Sequence, residues 1–138
     1  MLIKTRGGAG KAKTYEMMPA SRTETAATIM VVDDDQHVRT IVAEFLDGSG
    51  YHVLEAGGGR EALRMLADTQ VVDLLITDVR MPDMSGLELA ETVIRERADL
   101  KVILISGYFV SRQVGHRVLK KPFRMQELAD AVRDELGR

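Results

Sequence analysis

The sequence predicts an α/β fold in which helices cover both faces of a single parallel sheet of five strands. Short apolar runs alternate along the chain with segments whose apolar residues recur at helical spacing, which is typical of βαβ units with right-handed crossovers. The run Leu74–Thr77 is apolar or β-branched throughout and leads into Asp78 and a turn, as expected for a strand buried on both faces. We therefore expect one folded domain over residues 28–138.

The first half of this domain contains two predicted strands, each followed by a helix. Thr28–Val32 is the first strand, and Asp35 is placed to cap the helix that follows it. That helix carries an apolar stripe and is ended by Gly48 and Gly50. Tyr51–Glu55 is a more polar strand, which we expect near an edge of the sheet. A run of three glycines then makes the turn into the second helix.

The second half adds three strands, the last two being Lys101–Ile105 and Arg117–Leu119. A third helix follows the strand that ends at Asp78. The C-terminal helix has apolar residues at i, i+3, i+4, i+7 and i+11, namely Met125, Leu128, Ala129, Val132 and Leu136. Only fourteen residues separate Ser106 from Lys121, so the fourth helix is expected to be shortened or irregular. This alternation predicts a flavodoxin-like doubly wound sandwich with strand order 2-1-3-4-5, in which the first and third strands are neighbours.

Size and composition narrow the classes of function. A chain of 138 residues is large enough for one domain with a hydrophobic core. The net charge of −2 gives no reason to expect a nucleic-acid partner, and the absence of cysteine excludes disulfides and thiol chemistry. No apolar run approaches the roughly eighteen residues of a membrane span, and the N-terminal residues lack the apolar core of a signal peptide. We therefore expect a cytoplasmic domain.

The strand ends carry chemically distinct side chains. Asp33 and Asp34 follow the first strand, Asp78 ends the third, Ser106 follows the fourth, and Lys121 follows the fifth. In an open parallel sheet, ligands bind outside the carboxyl ends of the strands. Three crowded carboxylates repel one another, and a hard divalent cation relieves that repulsion. The sequence therefore predicts one binding site at this edge of the sheet.

These residues resemble the receiver domains of two-component response regulators. The resemblance rests on an acidic pair, a phosphoacceptor aspartate, the turn after it, a hydroxyl followed by a small residue, and a lysine–proline–phenylalanine signature. In the same order, the matching residues are Val31–Asp34, Asp78, Met81–Gly86, Ser106-Gly107 and Lys121–Phe123. The match extends from Thr28 to about Leu136.

The resemblance implies transfer of a phosphoryl group from a histidine kinase or a phosphotransfer domain to Asp78. It implies Mg²⁺, or Mn²⁺ in its place, held by Asp34, Asp78 and the backbone carbonyl of Arg80, with Asp33 acting through water. Lys121 would neutralise charge that develops on the phosphoryl oxygens. The domain would be a phosphoacceptor that catalyses only its own phosphorylation and dephosphorylation.

Other features bear on the output of such a domain. Ser106 would donate a hydrogen bond to the phosphoryl group, but Val118 stands where the family usually has a mobile aromatic residue. Receivers with Ser-Gly-Tyr after the fourth strand and a reduced fourth helix are often attached to sensor kinases. Residues 1–27 are therefore expected to be a flexible extension or the remnant of an upstream kinase domain. A homodimer is also compatible with the resemblance.

Two other functions stay open at this point. A haloacid-dehalogenase-type phosphatase also has an aspartate after a buried strand, a later Ser or Thr, and a lysine. It needs an Asp-x-Asp-x-Thr/Val loop, however, and the segment Asp33–His37 has the wrong final residue. A receiver-like binding module that is never phosphorylated would keep its activity in an Asp78→Asn variant.

Overall fold

The structure is a computed structural model and describes residues 26–69, 71–107 and 115–137. These residues form five strands: β1 (Thr28–Val32), β2 (His52–Ala56), β3 (Leu74–Asp78), β4 (Lys101–Ser106) and β5 (Arg117–Lys120). They also form four helices: α1 (Gln36–Gly48), α2 (Gly59–Asp68), α3 (Gly86–Glu96) and α4 (Met125–Leu136). The strands pair in parallel in the order β2-β1-β3-β4-β5. The predicted fold class and strand order are therefore confirmed.

The sheet separates two hydrophobic cores, because side chains of successive strand residues point to opposite faces. On one face, alternate residues of β1, β3 and β4 pack with α2 and α3; this core includes Met30, Leu75, Leu104, Ala62 and Leu89. On the other face, the same strands pack with α1 and α4, with Ile29, Ile76, Ile103, Leu46 and Leu128 among its buried residues. Strand β3 is buried at every position, which explains its continuous apolar sequence.

The observed bounds differ slightly from the predicted ones. Strand β2 begins at His52 rather than Tyr51, because the Tyr51 amide donates to the Leu46 carbonyl at 3.2 Å in the turn that ends α1. Strand β4 extends by one residue to Ser106, which pairs with Lys120 of β5. The predicted shortened fourth helix, and the tyrosine of the Ser-Gly-Tyr sequence (Tyr108), fall on a segment that lies mainly outside the described residues. The expectation of a shortened helix therefore stays a prediction.

The cap predicted for α1 is present. The Asp35 carboxylate accepts hydrogen bonds from the backbone amides of His37 and Val38 at 3.0 and 3.2 Å. This satisfies donors that the first turn of a helix leaves without partners. Within the described ranges, no helix combines the length and the apolar character needed to cross a membrane.

Candidate functional site

The acidic pair lies immediately after β1, and its two members have different environments. Asp33 is buried, with 4% of its surface exposed, whereas Asp34 is exposed. The Asp33 backbone amide donates to the Ala56 carbonyl at 3.2 Å, and its carboxylate accepts from the Asp35 amide at 2.9 Å. The carbonyl of Asp33 accepts from Nη1 of Arg39 at 2.7 Å. Asp33 is therefore held through its amide, its carbonyl and its side chain.

Asp78 brings a third carboxylate to the pair. It is the last residue of β3, which lies beside β1 in the sheet, and it is 9% exposed. One carboxylate oxygen from each of Asp33, Asp34 and Asp78 lies within 4.8 Å of the other two. The strand order thus brings together two carboxylates from one loop and one from a strand more than forty residues later.

The crowding is visible in the electrostatics of Asp33. Burial raises the pKa of the Asp33 carboxyl above its ordinary value, the hydrogen bond from the Asp35 amide opposes this, and the negative charge of Asp78 raises the pKa further. A hard divalent cation would relieve this repulsion, and carboxylate oxygens are ligands that Mg²⁺ prefers. The donor set that the structure describes therefore fits a magnesium ion.

Lys121 supplies a positive charge to the same site. Its ammonium nitrogen lies 3.1 Å from Oδ1 of Asp78. Partial burial lowers the pKa of Lys121, but the hydrogen bond and charge of Asp78, together with the charges of Asp33 and Asp35, raise it above its ordinary value. Lys121 is therefore an ammonium group throughout the neutral pH range.

Ser106 lies one strand away from Asp78, at the end of β4. It is 2% exposed, and β4 pairs with β3 so that Asp78 stands opposite Ile105, the residue before Ser106. The Ser106 carbonyl accepts from the Lys121 amide at 2.8 Å, which joins the ends of β4 and β5. Arg80 lies in the loop after β3, two residues beyond Asp78. Its role as a carbonyl ligand stays a prediction.

The loop between β3 and α3 returns closely to the backbone of Asp78. The Val79 amide donates to the Ile105 carbonyl at 3.0 Å, and the Gly86 amide donates to the Val79 carbonyl at 2.8 Å. A Cβ atom added to Gly86 would lie 2.2 Å from the backbone oxygen of Asp78. Glycine is therefore required here, because any side chain would displace the backbone that carries the acidic site.

The same loop caps two helices. The Asp83 carboxylate accepts from the amides of Gly59 and Arg60, at 3.3 and 2.9 Å, at the start of α2. The hydrogen bond from Arg60, with others from Gly59 and Met84, lowers the pKa of Asp83 despite the opposing effect of burial. Ser85 caps α3 in a reciprocal capping box with Glu88. The loop therefore links the site to α2 as well as to α3.

Three features of the site were not predicted from the sequence. They are the cap of α3 by Ser85, the contact of Asp83 with α2, and the contact of Arg39 with Asp33. The Ser85-x-x-Glu88 spacing is a capping-box signature, so that cap was recognisable from the sequence. The contact of Asp83 with α2 and that of Arg39 with Asp33 join residues by tertiary structure, and no local pattern signals either one.

Comparison with known proteins identifies the family. Residues 29–133 match the family model of the response regulator receiver domain. The chain belongs to this family. The flavodoxin-like sheet, the three carboxylates and the lysine are thus parts of a receiver domain, as the sequence motifs implied.

Curated relatives include both regulators and kinases. The receiver chain is 37% identical over 120 residues to the DNA-binding transcriptional regulator NtrC of Azospirillum brasilense, covering 82% of this chain and 25% of that protein. It is 32% identical over 133 residues to the sensor kinase CckA of Brucella abortus, covering 91% of this chain and 14% of that protein. The chain thus spans only a quarter or less of these relatives.

A similar solved structure is that of the response regulator TrrA of Thermotoga maritima in complex with Mg²⁺-BeF. The TM-score is 0.73 at 33% identity, covering 80% of this chain and 99% of that one. Receiver domains act in two-component signalling with histidine kinases or phosphotransfer proteins, and they are not a class of conventional enzymes. Neither the phosphatase nor the unphosphorylated binding module is favoured for this receiver.

Proposed function

We propose that this receiver takes a phosphoryl group from a histidine kinase or a phosphotransfer domain onto Asp78, and that the modification changes its conformation or its binding of partners. The observation that carries the proposal is the convergence of three carboxylates and one ammonium group around the end of β3. A single acceptor carboxylate, two further acids for a cation and one fixed positive charge suit reversible phosphoryl transfer.

In this transfer, an oxygen of Asp78 attacks the phosphorus of the donor phosphohistidine. The new oxygen–phosphorus bond forms as the phosphorus–nitrogen bond breaks, and the electron pair of that bond returns to the departing imidazole. The Lys121 ammonium lies 3.1 Å from the acceptor carboxylate, so it neutralises charge on the phosphoryl oxygens as they approach. Ser106 donates its hydroxyl hydrogen to the phosphoryl group. The same site then supports hydrolysis of the aspartyl phosphate by water.

Mg²⁺, or Mn²⁺ in its place, would be held by Asp34, Asp78 and the carbonyl of Arg80, with Asp33 acting through water. Bound there, the ion supplies positive charge to the transferring phosphoryl group. The fit of the three carboxylates and the Mg²⁺-BeF complex of the similar protein TrrA support this assignment. The metal requirement and the self-catalysed chemistry are both parts of the proposal.

The decisive experiment is labelling by acetyl phosphate, with mass spectrometry as the readout. Wild-type protein with Mg²⁺ is expected to gain one phosphoryl group that hydroxylamine removes, whereas Asp78→Asn is expected to gain none. The matched control is Asp99→Asn. Asp99 is an exposed acid in the loop that leads into β4, at the end of the sheet away from the acidic cluster. Labelling that persists in Asp78→Asn would overturn the assignment, and sustained turnover of p-nitrophenyl phosphate would favour the phosphatase.

We also propose, as the sequence predicts, that residues 1–27 are either a flexible extension or the remnant of an upstream kinase domain. The alignment with the CckA sensor kinase covers 91% of the chain, which is more than residues 28–138 make up. We also propose a cytoplasmic location for this receiver, as the compartment in which it would meet its histidine kinase. The homodimer and the absence of a nucleic-acid partner stay predictions.

A further inference from the structure

Arg39 of α1 contacts the loop that carries the acidic pair. Its side chain is only 16% exposed, which is low for an arginine. Nη1 donates to the carbonyl oxygen of Asp33 at 2.7 Å, and Nε donates to Oε1 of Glu55 at 3.2 Å. The guanidinium therefore joins α1, the loop after β1 and strand β2 through two donors of one rigid plane.

The contacted carbonyl belongs to the peptide unit that links Asp33 to Asp34. The amide of Asp33 is already fixed by Ala56, and its carboxylate is fixed by the Asp35 amide. The Arg39 contact fixes the carbonyl oxygen of Asp33. It therefore also fixes the plane of the Asp33–Asp34 peptide, which sets the direction of the exposed Asp34 side chain. Without that contact, the Asp33 carbonyl would lose the hydrogen bond from Arg39, while the Asp33 amide and the helix cap would keep theirs.

Charge explains the part of Glu55 in this arrangement. A guanidinium close to three carboxylates competes with a bound cation, since it lowers the negative potential of the site. Glu55 pairs with Arg39 from strand β2, so it offsets that positive charge locally. Arg39 is thus able to hold the loop at a reduced electrostatic cost to the cation site.

We propose that Arg39, held by Glu55, is a positioning residue that orients the Asp33–Asp34 peptide so that the carboxylate of Asp34 faces Asp78. This rests on the proposed function, because it assumes that these carboxylates bind Mg²⁺. Residues that support metal ligands through hydrogen bonds commonly change metal affinity by about ten- to a hundredfold when replaced.

The test compares Arg39→Met with Arg64→Met, which makes the same substitution at an exposed position of α2. Titration calorimetry with Mg²⁺ is expected to show about tenfold weaker binding for Arg39→Met and unchanged binding for Arg64→Met. The Mg²⁺ concentration for half-maximal labelling by acetyl phosphate should rise by the same factor, while the rate at saturating Mg²⁺ stays close to that of the wild type. Arg39→Lys should restore part of the affinity, because an ammonium is able to donate to the Asp33 carbonyl but lacks the planar fork.

Equal Mg²⁺ affinity in Arg39→Met and Arg64→Met would overturn the positioning role and leave the proposed function intact. Absence of Mg²⁺ binding by the wild type would overturn both, so the two failures are distinguishable. If Arg39→Met unfolds, the Glu55→Gln variant tests the positioning role instead. It keeps the side-chain shape and is expected to weaken Mg²⁺ binding about twofold at low salt, with less effect at high salt. No change in Glu55→Gln at low salt would then count against the proposal.

Discussion

Asp33 is a carboxylate that the fold buries beside two others. Its amide, carbonyl and side chain are all hydrogen-bonded, but burial and the charge of Asp78 raise its pKa. A raised pKa means that the folded protein disfavours the ionised form relative to the unfolded chain. At neutral pH the ionised Asp33 therefore lowers stability. Such unfavourable local interactions are common where residues are placed for function.

We predict that Asp33→Asn raises the free energy of unfolding when no divalent cation is present. Asparagine retains an oxygen that accepts from the Asp35 amide, and it removes one of three crowded charges. The check is thermal unfolding in EDTA and in excess Mg²⁺, with Asp99→Asn as the control. The advantage of Asp33→Asn should shrink in Mg²⁺, because the wild type then gains more from the cation. A variant less stable than the wild type in EDTA would contradict this account.

The loop between β3 and α3 connects elements that are far apart in sequence. It begins at Asp78, caps α2 through Asp83, and caps α3 through Ser85. Gly58 lacks a side chain with which to cap α2, and Cβ atoms at Gly58 and Gly59 would meet Asp83 and Met84 at 3.0 and 2.2 Å. The second and third glycines of the run are therefore explained by the close approach of this loop as well as by the turn.

We predict that Asp83→Ala lowers the free energy of unfolding at pH 7 by about 0.5–1 kcal/mol, the low end of capping energies because the carboxylate is exposed. Because folding lowers the pKa of Asp83 from 3.8, its stabilising effect is complete above that ordinary value and is lost as the pH falls through the lowered pKa. Urea unfolding of both proteins at several pH values measures the difference.

The matched control for this prediction is Asp99→Ala, which removes an exposed loop carboxylate. The difference in the free energy of unfolding between wild type and Asp83→Ala should be complete at pH 5–7 and should decrease only in strong acid, below the ordinary pKa of 3.8. A gap that stays constant through this acid range would show that the carboxylate charge has no part in capping α2.

At the scale of the whole molecule, the acidic site is formed by residues from separate strand ends and loops, which meet at the carboxyl ends of the strands. The acidic pair follows β1, Asp78 ends β3, and Lys121 follows β5. No two of these elements are adjacent in the chain, so the unfolded chain has no comparable cluster. A ligand of the cluster must therefore stabilise the fold as a whole.

We predict that Mg²⁺ at ten times its dissociation constant raises the free energy of unfolding by about 1.4 kcal/mol. The effect should be absent in Asp34→Asn, which removes one proposed ligand while leaving the exposed loop otherwise unchanged. Thermal unfolding across a Mg²⁺ titration at constant ionic strength measures it. Equal stabilisation of wild type and Asp34→Asn would place the ion elsewhere.

Much of this architecture follows from the sequence alone. Apolar runs gave the strands, helical periodicity gave the helices, and the alternation of the two gave the order 2-1-3-4-5. The same reasoning placed Asp33, Asp34 and Asp78 at one edge. These predictions succeed because burial imposes a period on the sequence and because parallel sheets present their carboxyl ends together.

Other features were decided only by tertiary structure. The local sequence around Arg39 or Asp83 does not indicate which backbone atoms those side chains contact, because their partners are set by how α1 and the β3–α3 loop pack on the sheet. The requirement for glycine at position 86 likewise depends on the return of the loop to Asp78. Sequence patterns thus determine which elements form and which chemical groups they carry. The distances and charges that set the properties of those groups come from packing between elements distant in the chain.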